Sequence, residues 1–208
     1  MDGDRTLIER VLAGAGDVEA FRELVERHQR RVFGFVRNLV RNASDAEDLV
    51  QEVFVAAFRK LDSFDAERSQ FSTWLLTIAR NRCLNHLKRS SITTTSSSEF
   101  DLESRMTQPL DVVLNHEMYA RLDAALDLLP LEQRTAFVLA EIQELPYAEI
   151  AIIEEVELGT IKSRVSRAKQ RLRELLSDLD PQKTLDPQKP NEPERASVRL
   201  ATKEPTGR

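Results

Sequence analysis

A single cysteine, Cys83, stands in a chain of 208 residues. No intrachain disulfide can form, and no thiolate cluster can gather around a metal. The three histidines, His28, His86 and His116, are scattered, and no Glu-x-x-His pair occurs. No metal centre and no cofactor are expected. Glycine is scarce at six, and five of the eight prolines (Pro181, Pro187, Pro190, Pro193, Pro205) fall late in the chain. A body so poor in breakers points to helices rather than to a turn-rich sheet protein. No apolar run nears the roughly 20 residues that span a bilayer. The opening MDGDRTLIER lacks the basic-then-apolar order of a secretion signal. The expectation is a soluble, cytoplasmic, all-α protein with no membrane insertion and no small-molecule substrate.

What is present supports a real core. Hydrophobic residues make up 41% of the chain, and the length allows one large domain or two small ones. Thr6-Leu-Ile-Glu9 fits a capping box opening a short helix, and Ser44-Asp-Ala-Glu47 fits another. Asp17 suits the cap of the helix between them. In that helix Phe21, Leu24, Val25, His28, Val32, Phe35, Val36 and Leu39 recur at steps of three and four, the period of an amphipathic helix. The next helix turns Leu49, Val50, Val53, Phe54, Ala57 and Phe58 inward. LDSFDAERSQ breaks the pattern, and a helix over Phe71 to Lys88 carries Trp74, Leu75, Ile78, Cys83, Leu84 and Leu87. These helices form a first domain, 1–90.

The tract SSITTTSSS has little apolar surface to offset the entropy of ordering it. It reads as part of a flexible linker, 91–111. Helical pattern returns near Val112. Leu128-Leu129-Pro130 marks a turn, Leu131 to Ile142 is helical, Pro146 sits near the start of a short helix over Tyr147 to Ile153, and a longer helix follows. This is a second, smaller helical domain, 112–177. The remainder, 178–208, repeats DPQK and balances its acids against its bases. It is expected to be a disordered tail.

Charge is concentrated where the total does not suggest it. The chain has a formal net charge of -5, yet GTIKSRVSRAKQRLREL sets Lys162, Arg164, Arg167, Lys169, Arg171 and Arg173 against Glu174 alone. At about 100° per residue, Ile161, Val165, Ala168, Leu172 and Leu175 form one apolar stripe. Thr160, Ser163, Arg164, Arg167 and Arg171 line one polar flank. Lys162, Ser166, Lys169 and Arg173 line the other. Forked guanidiniums and hydroxyls suit phosphates and guanine edges in a major groove. A short helix, a tight turn and a longer basic helix make a helix-turn-helix. The plain alternative is a solvated amphipathic face.

The residues around this helix decide between the two. LPLEQRTAFVLAEIQELPYAEIA and VELGTIKSRVSRAKQRL resemble the promoter-binding C-terminal region of bacterial sigma-70 family sigma factors of the extracytoplasmic-function (ECF) group. SDAEDLVQEVFVAAFRKLDSF and FSTWLLTIARNRCLNHLKR resemble that group's polymerase-docking and promoter −10 regions. The resemblance implies an alternative sigma factor that performs no covalent chemistry itself. It would bind core RNA polymerase, recognise −35 and −10 elements of promoter DNA, and help open the −10 region. An anti-sigma factor is an implied partner. The resemblance also implies roles. Thr160, Lys162, Ser163, Arg164, Arg167, Lys169 and Arg171 would meet the −35 element, with Arg164 and Arg167 reading bases and Lys169 and Arg171 near phosphates. Ser63, Phe64, Arg80, Asn81, Lys88 and Arg89 would meet the −10 element. Asp45, Asp48, Gln51 and Glu52 would face polymerase.

Some readings stay double. Phe64, an apolar ring in a polar loop, is a core anchor or a surface for a flipped base. Trp74 supports melting or fills the core, and the acidic face of 45–60 is a docking surface or a solvated one. One departure stands out. The family's turn usually holds an apolar residue, then Gly, then Pro two positions on; here the stretch is Glu154, Glu155, Val156, Glu157. Glu155 then has to adopt the conformation of a Gly, at a cost of about 1 kcal/mol if φ is positive. Two other classes of function remain open. One is an autonomous regulator, which would shift promoter duplex without polymerase; the other is a carboxylate-metal helical enzyme, which would carry metal when purified.

Overall fold

The computed structural model of the chain describes residues 2–13, 17–40, 42–93 and 120–177. Helix α1 spans Asp2–Ala13, α2 Val18–Leu39 and α3 Ala43–Arg59. A 3-10 turn over Leu61–Ser63 leads through an irregular loop to α4, Phe71–Thr93. In the second half α5 covers 120–127 and α6 Leu131–Phe137. A π-helical turn, Val138–Ile142, continues α6. Then come α7, Tyr147–Glu154, and α8, Leu158–Ser177. The described residues include no strand, as the all-α reading requires. The tail and the expected helical restart near Val112 lie outside the described residues.

Local chemistry sets most boundaries. Asp17 caps α2 by accepting a hydrogen bond from the Ala20 amide at 3.0 Å. That amide, with the Arg10 guanidinium, holds the Asp17 carboxyl below its ordinary range. Arg10 reaches the same carboxylate at 2.8 Å and ties α1 to α2. The two capping boxes are not used. Thr6 lies inside α1, whose start at Asp2 precedes the Thr-x-x-Glu pattern. In α3 the cap is Asn42, which accepts from Ser44 and Asp45 amides at 2.8 and 3.2 Å. Asn is as good an N-cap as Ser, and it stands two residues earlier. Helix α4 also runs past Lys88 to Thr93, taking in the first residues of the Ser/Thr tract.

Helices α1 to α4 pack pairwise around Leu24, Phe35, Val36, Val53, Leu75 and Leu76, all buried. Phe54 is buried too, whereas Phe58, expected inward, is 42% exposed and meets Phe21 edge-on at 4.9 Å. In the second half α6 and α7 pack on α8. The stripe of α8 is buried as the helix wheel requires, with Ile161, Val165, Ala168 and Leu172 inward and Leu175 half-buried. Ala168 and Leu172 form a satellite cluster with Ala125, Leu126 and Leu129. The two halves also touch. Helix α7 packs on α4 and α6 on α2, so one buried cluster runs from Leu7 through Leu76 to Ile153 and Val165.

Cys83 sits in this core, fully buried. Burial pushes its thiol up to about 12, so almost no nucleophilic thiolate exists at neutral pH. The native chain should therefore resist maleimide or disulfide reagents at pH 7 and label fully in denaturant. Native labelling at the rate of a free thiol would contradict this packing.

Candidate nucleic-acid interface

Helices α7 and α8 form the helix-turn-helix. Pro146 precedes α7, where its missing amide is no loss. Helix α7 ends at Glu155, whose φ of 55° and ψ of 43° are left-handed. The Glu155 and Val156 amides fold back onto carbonyls of α7, and the Glu157 carbonyl accepts from Thr160 and Ile161 to start α8. The left-handed conformation anticipated for Glu155 is thus present. A second residue with positive φ, Glu144 at 54°, was not foreseen and turns the chain between the π turn and α7. Glu155→Gly should raise stability by about 1 kcal/mol by relieving the Cβ clash. A denaturant midpoint that stays put or falls would show that the Glu155 side chain offsets its own strain.

The basic residues of α8 are not equivalent. Lys162 and Arg167 are exposed, with no hydrogen bond or ion pair among the described residues. Lys169 pairs with Glu141 of the π turn at 2.8 Å, which raises its pKa. Arg171 pairs with Glu174 at 3.2 Å. Thr160 and Ser163 are half-buried, and the Ser163 hydroxyl donates to the Thr160 carbonyl at 2.9 Å. Arg164 is only 16% exposed and is gripped by Glu154 at 3.0 Å and Glu132 at 2.6 Å.

In the first half, the loop after the 3-10 turn carries Ser63 exposed and Phe64 half-buried. The Ser63 hydroxyl donates to the Lys60 carbonyl at 2.6 Å. The Phe64 ring meets Phe71 at 5.5 Å and Trp74 at 5.4 Å. Trp74 is itself half-buried, and these three rings line one face of the loop beside His28. Asn81, Lys88 and Arg89 are exposed along α4. Asn81 accepts from Arg80 at 3.1 Å, and Arg80 also reaches Glu154 of the other half at 3.1 Å.

The acidic side of α3 exposes Asp48, Gln51 and Glu52, with Asp45 half-buried. Asp45 and Glu52 do not stand alone. His86 approaches Asp45 at 3.4 Å, and Arg82 donates to Glu52 at 3.1 Å, so α4 is cross-linked to this side. His86, expected to face phosphate, faces this carboxylate instead.

Sequence reasoning missed the contacts between halves. Thr73 of α4 donates to Glu149 of α7 at 2.7 Å, and Arg31 of α2 donates to the Gln143 carbonyl at 2.9 Å. Glu154 is buried to 2% side-chain exposure. Burial pushes its carboxyl above the ordinary range against the opposing pull of Arg80 and Arg164. A signal was available, since Glu154 falls four residues after Ile150 on the buried stripe of α7. Among the described residues no group of three or more potential ligands could hold a metal ion, and no helix is long and apolar enough to cross a membrane.

Comparison with known proteins agrees with this architecture. Sigma-70 region 2 matches residues 24–92, and Sigma-70, region 4 matches residues 119–172. The chain is 34% identical over 190 residues to the RNA polymerase sigma-H factor of Pseudomonas aeruginosa, covering 85% of this chain and 95% of that protein. It is 35% identical over 179 residues to the ECF RNA polymerase sigma-E factor of Escherichia coli, covering 81% and 92%. Among solved structures, CnrH in complex with the cytosolic domain of CnrY superposes with a TM-score of 0.64 at 26% identity, covering 86% of this chain and 99% of that one. RpoE of Bartonella quintana with the anti-sigma factor NepR gives 0.63 at 31% identity, covering 76% and 96%. With both family regions in order on one helical chain, and a basic helix-turn-helix at its C-terminal side, the chain belongs to the ECF group of the sigma-70 family and is an alternative sigma factor directing promoter-specific transcription.

Proposed function

We propose that each half of this chain carries one of the promoter contacts, and that α3 carries the polymerase contact. The boundaries proposed are 1–90 for docking and −10 recognition, 91–111 for a linker, 112–177 for −35 recognition and 178–208 for a tail outside both. Asp45, Asp48, Gln51 and Glu52 face core RNA polymerase. Ser63, Phe64, Arg80, Asn81, Lys88 and Arg89 serve the −10 element. Thr160, Lys162, Ser163, Arg164, Arg167, Lys169 and Arg171 serve the −35 element. The observation that carries the reading is the exposed flank of α8, where Lys162 and Arg167 project with no partner among the described residues beside a buried stripe that fixes the helix in place. Unpaired cations on a rigid helix suit a polyanion, and a duplex groove accepts an α-helix.

The chain acts in the cytoplasm and catalyses nothing; covalent chemistry belongs to the polymerase. Its acidic total fits that division. Phosphate affinity is local to α8 and the end of α4, and the partner supplies the rest. An anti-sigma partner is proposed from the similar solved complexes. Run-off transcription with purified core polymerase tests the whole reading. Transcripts from a cognate promoter should appear only when the chain is added. Binding of promoter duplex by the chain alone, with no transcript from the mixture, would instead identify an autonomous regulator.

A further inference from the structure

We infer that Glu154 is a latch, one carboxylate that holds the −10 half and the −35 half of this chain together through one arginine from each. The inference rests on the proposed assignment of Arg80 and Arg164 to DNA. Arg80 of α4 donates to one Glu154 oxygen at 3.1 Å, and Arg164 of α8 donates to the other at 3.0 Å. The carboxylate is 2% exposed, Arg80 18% and Arg164 16%. Neither guanidinium is presented to a phosphate in this arrangement. The Thr73–Glu149 and Arg31–Gln143 hydrogen bonds flank the latch.

Geometry makes the closed arrangement incompatible with a promoter. The −10 and −35 elements lie about 25 base pairs apart, roughly 85 Å at about 3.4 Å per base pair. Two side chains that share one carboxylate cannot each reach one of those elements. The halves must part before both are bound, and parting breaks at least one Glu154 pair.

The chemistry favours a contact that releases easily. A buried ion pair loses much of its attraction to desolvation, so it specifies an arrangement better than it stabilises one. Glu154 stands where the stripe of α7 calls for an apolar side chain, and an apolar side chain there would leave the two guanidiniums facing each other without a counter-charge. A DNA phosphate offers each arginine an equivalent charged acceptor, and opening returns the carboxylate to water. Glu132 adds a second acid on Arg164 at 72% exposure, so on the α8 side the latch is half-solvated from the outset.

Spin labels on cysteines introduced at the exposed positions Glu47 and Gln170 report the separation of the halves by pulsed dipolar spectroscopy. The full chain is used, with neither DNA nor polymerase present, so the result is independent of whether run-off transcription succeeds. Wild type should show one short, narrow distance. Glu154→Gln and Arg80→Glu should each move at least half of the population to longer, broader distances with helicity unchanged by circular dichroism. Combining Arg80→Glu with Glu154→Arg should restore the short distance. Should Glu154→Gln lose helicity, Arg80→Gln, which alters only a partly exposed side chain, serves in its place. Wild-type distance distributions in the folded single variants, or no restoration in the reversal pair, would overturn the latch.

Discussion

Replacing Phe35 with alanine should cost about 3–5 kcal/mol of stability. Phe35 is fully buried in α2, in the core shared by α1 to α4. Removing its ring leaves a void in a close-packed interior, and the neighbours collapse into it only in part. Valine neighbours such as Val32 and Val36 are stiff at χ1, which limits the collapse. Denaturant unfolding followed by circular dichroism measures the loss. A change below about 1 kcal/mol would mean that the site relaxes fully or that the ring is not packed as described.

Arg167→Ala should weaken binding of the polymerase holoenzyme to the −35 element by about 1–3 kcal/mol, or roughly 5- to 150-fold. The loss should fall on one base position rather than on all sequences. Arg167 is exposed on α8 and has no competing carboxylate among the described residues, so its guanidinium is available without first breaking a contact. Lys169 has Glu141 at 2.8 Å; its alanine variant also releases that acid and should weaken all sequences alike, by less. Titrating both variants against a panel of −35 base changes separates them. A uniform loss for Arg167→Ala would reduce it to a phosphate contact.

Much of this was legible in the sequence because it depends on neighbours in the chain. The stripe of α8 and the Asp17 cap follow from spacing alone, since a helix brings residues three and four apart onto one face. Glu155 was legible by an absence, because a turn that needs positive φ and lacks Gly must strain another residue. The failures have equally local causes. Ser44 matched a capping box, but Asn42 satisfied the same amides two residues earlier. Phe58 matched the inward period of α3, but that helix ends beside it, and the ring found Phe21 at the surface instead. What could not be read was the pairing across the chain. Nothing near Arg80 in the sequence indicates Glu154, 74 residues away, and the partners of Asp45, Glu52 and Arg164 are likewise set by tertiary packing. Residue type named the candidates; only the fold showed which of them were already engaged.

The π turn at Val138–Ile142 acts on the phase of everything after it. Its signature is the Gln143 amide reaching the Val138 carbonyl, five residues back, at 2.9 Å. Such a turn holds one residue more than an α-helix of the same rise. Deleting Ala140 would let the segment tighten into regular helix with little local damage. Everything downstream would then rotate by about 100° and draw back by about 1.5 Å. The helix-turn-helix would remain intact as a unit, yet Glu149 would no longer meet Thr73, nor Glu154 meet Arg80. One surplus residue therefore works as an indexing tooth. It sets the angle at which a self-contained DNA-reading module is clocked against the rest of the chain, so a change in indexing could re-aim the module without altering any residue that touches DNA.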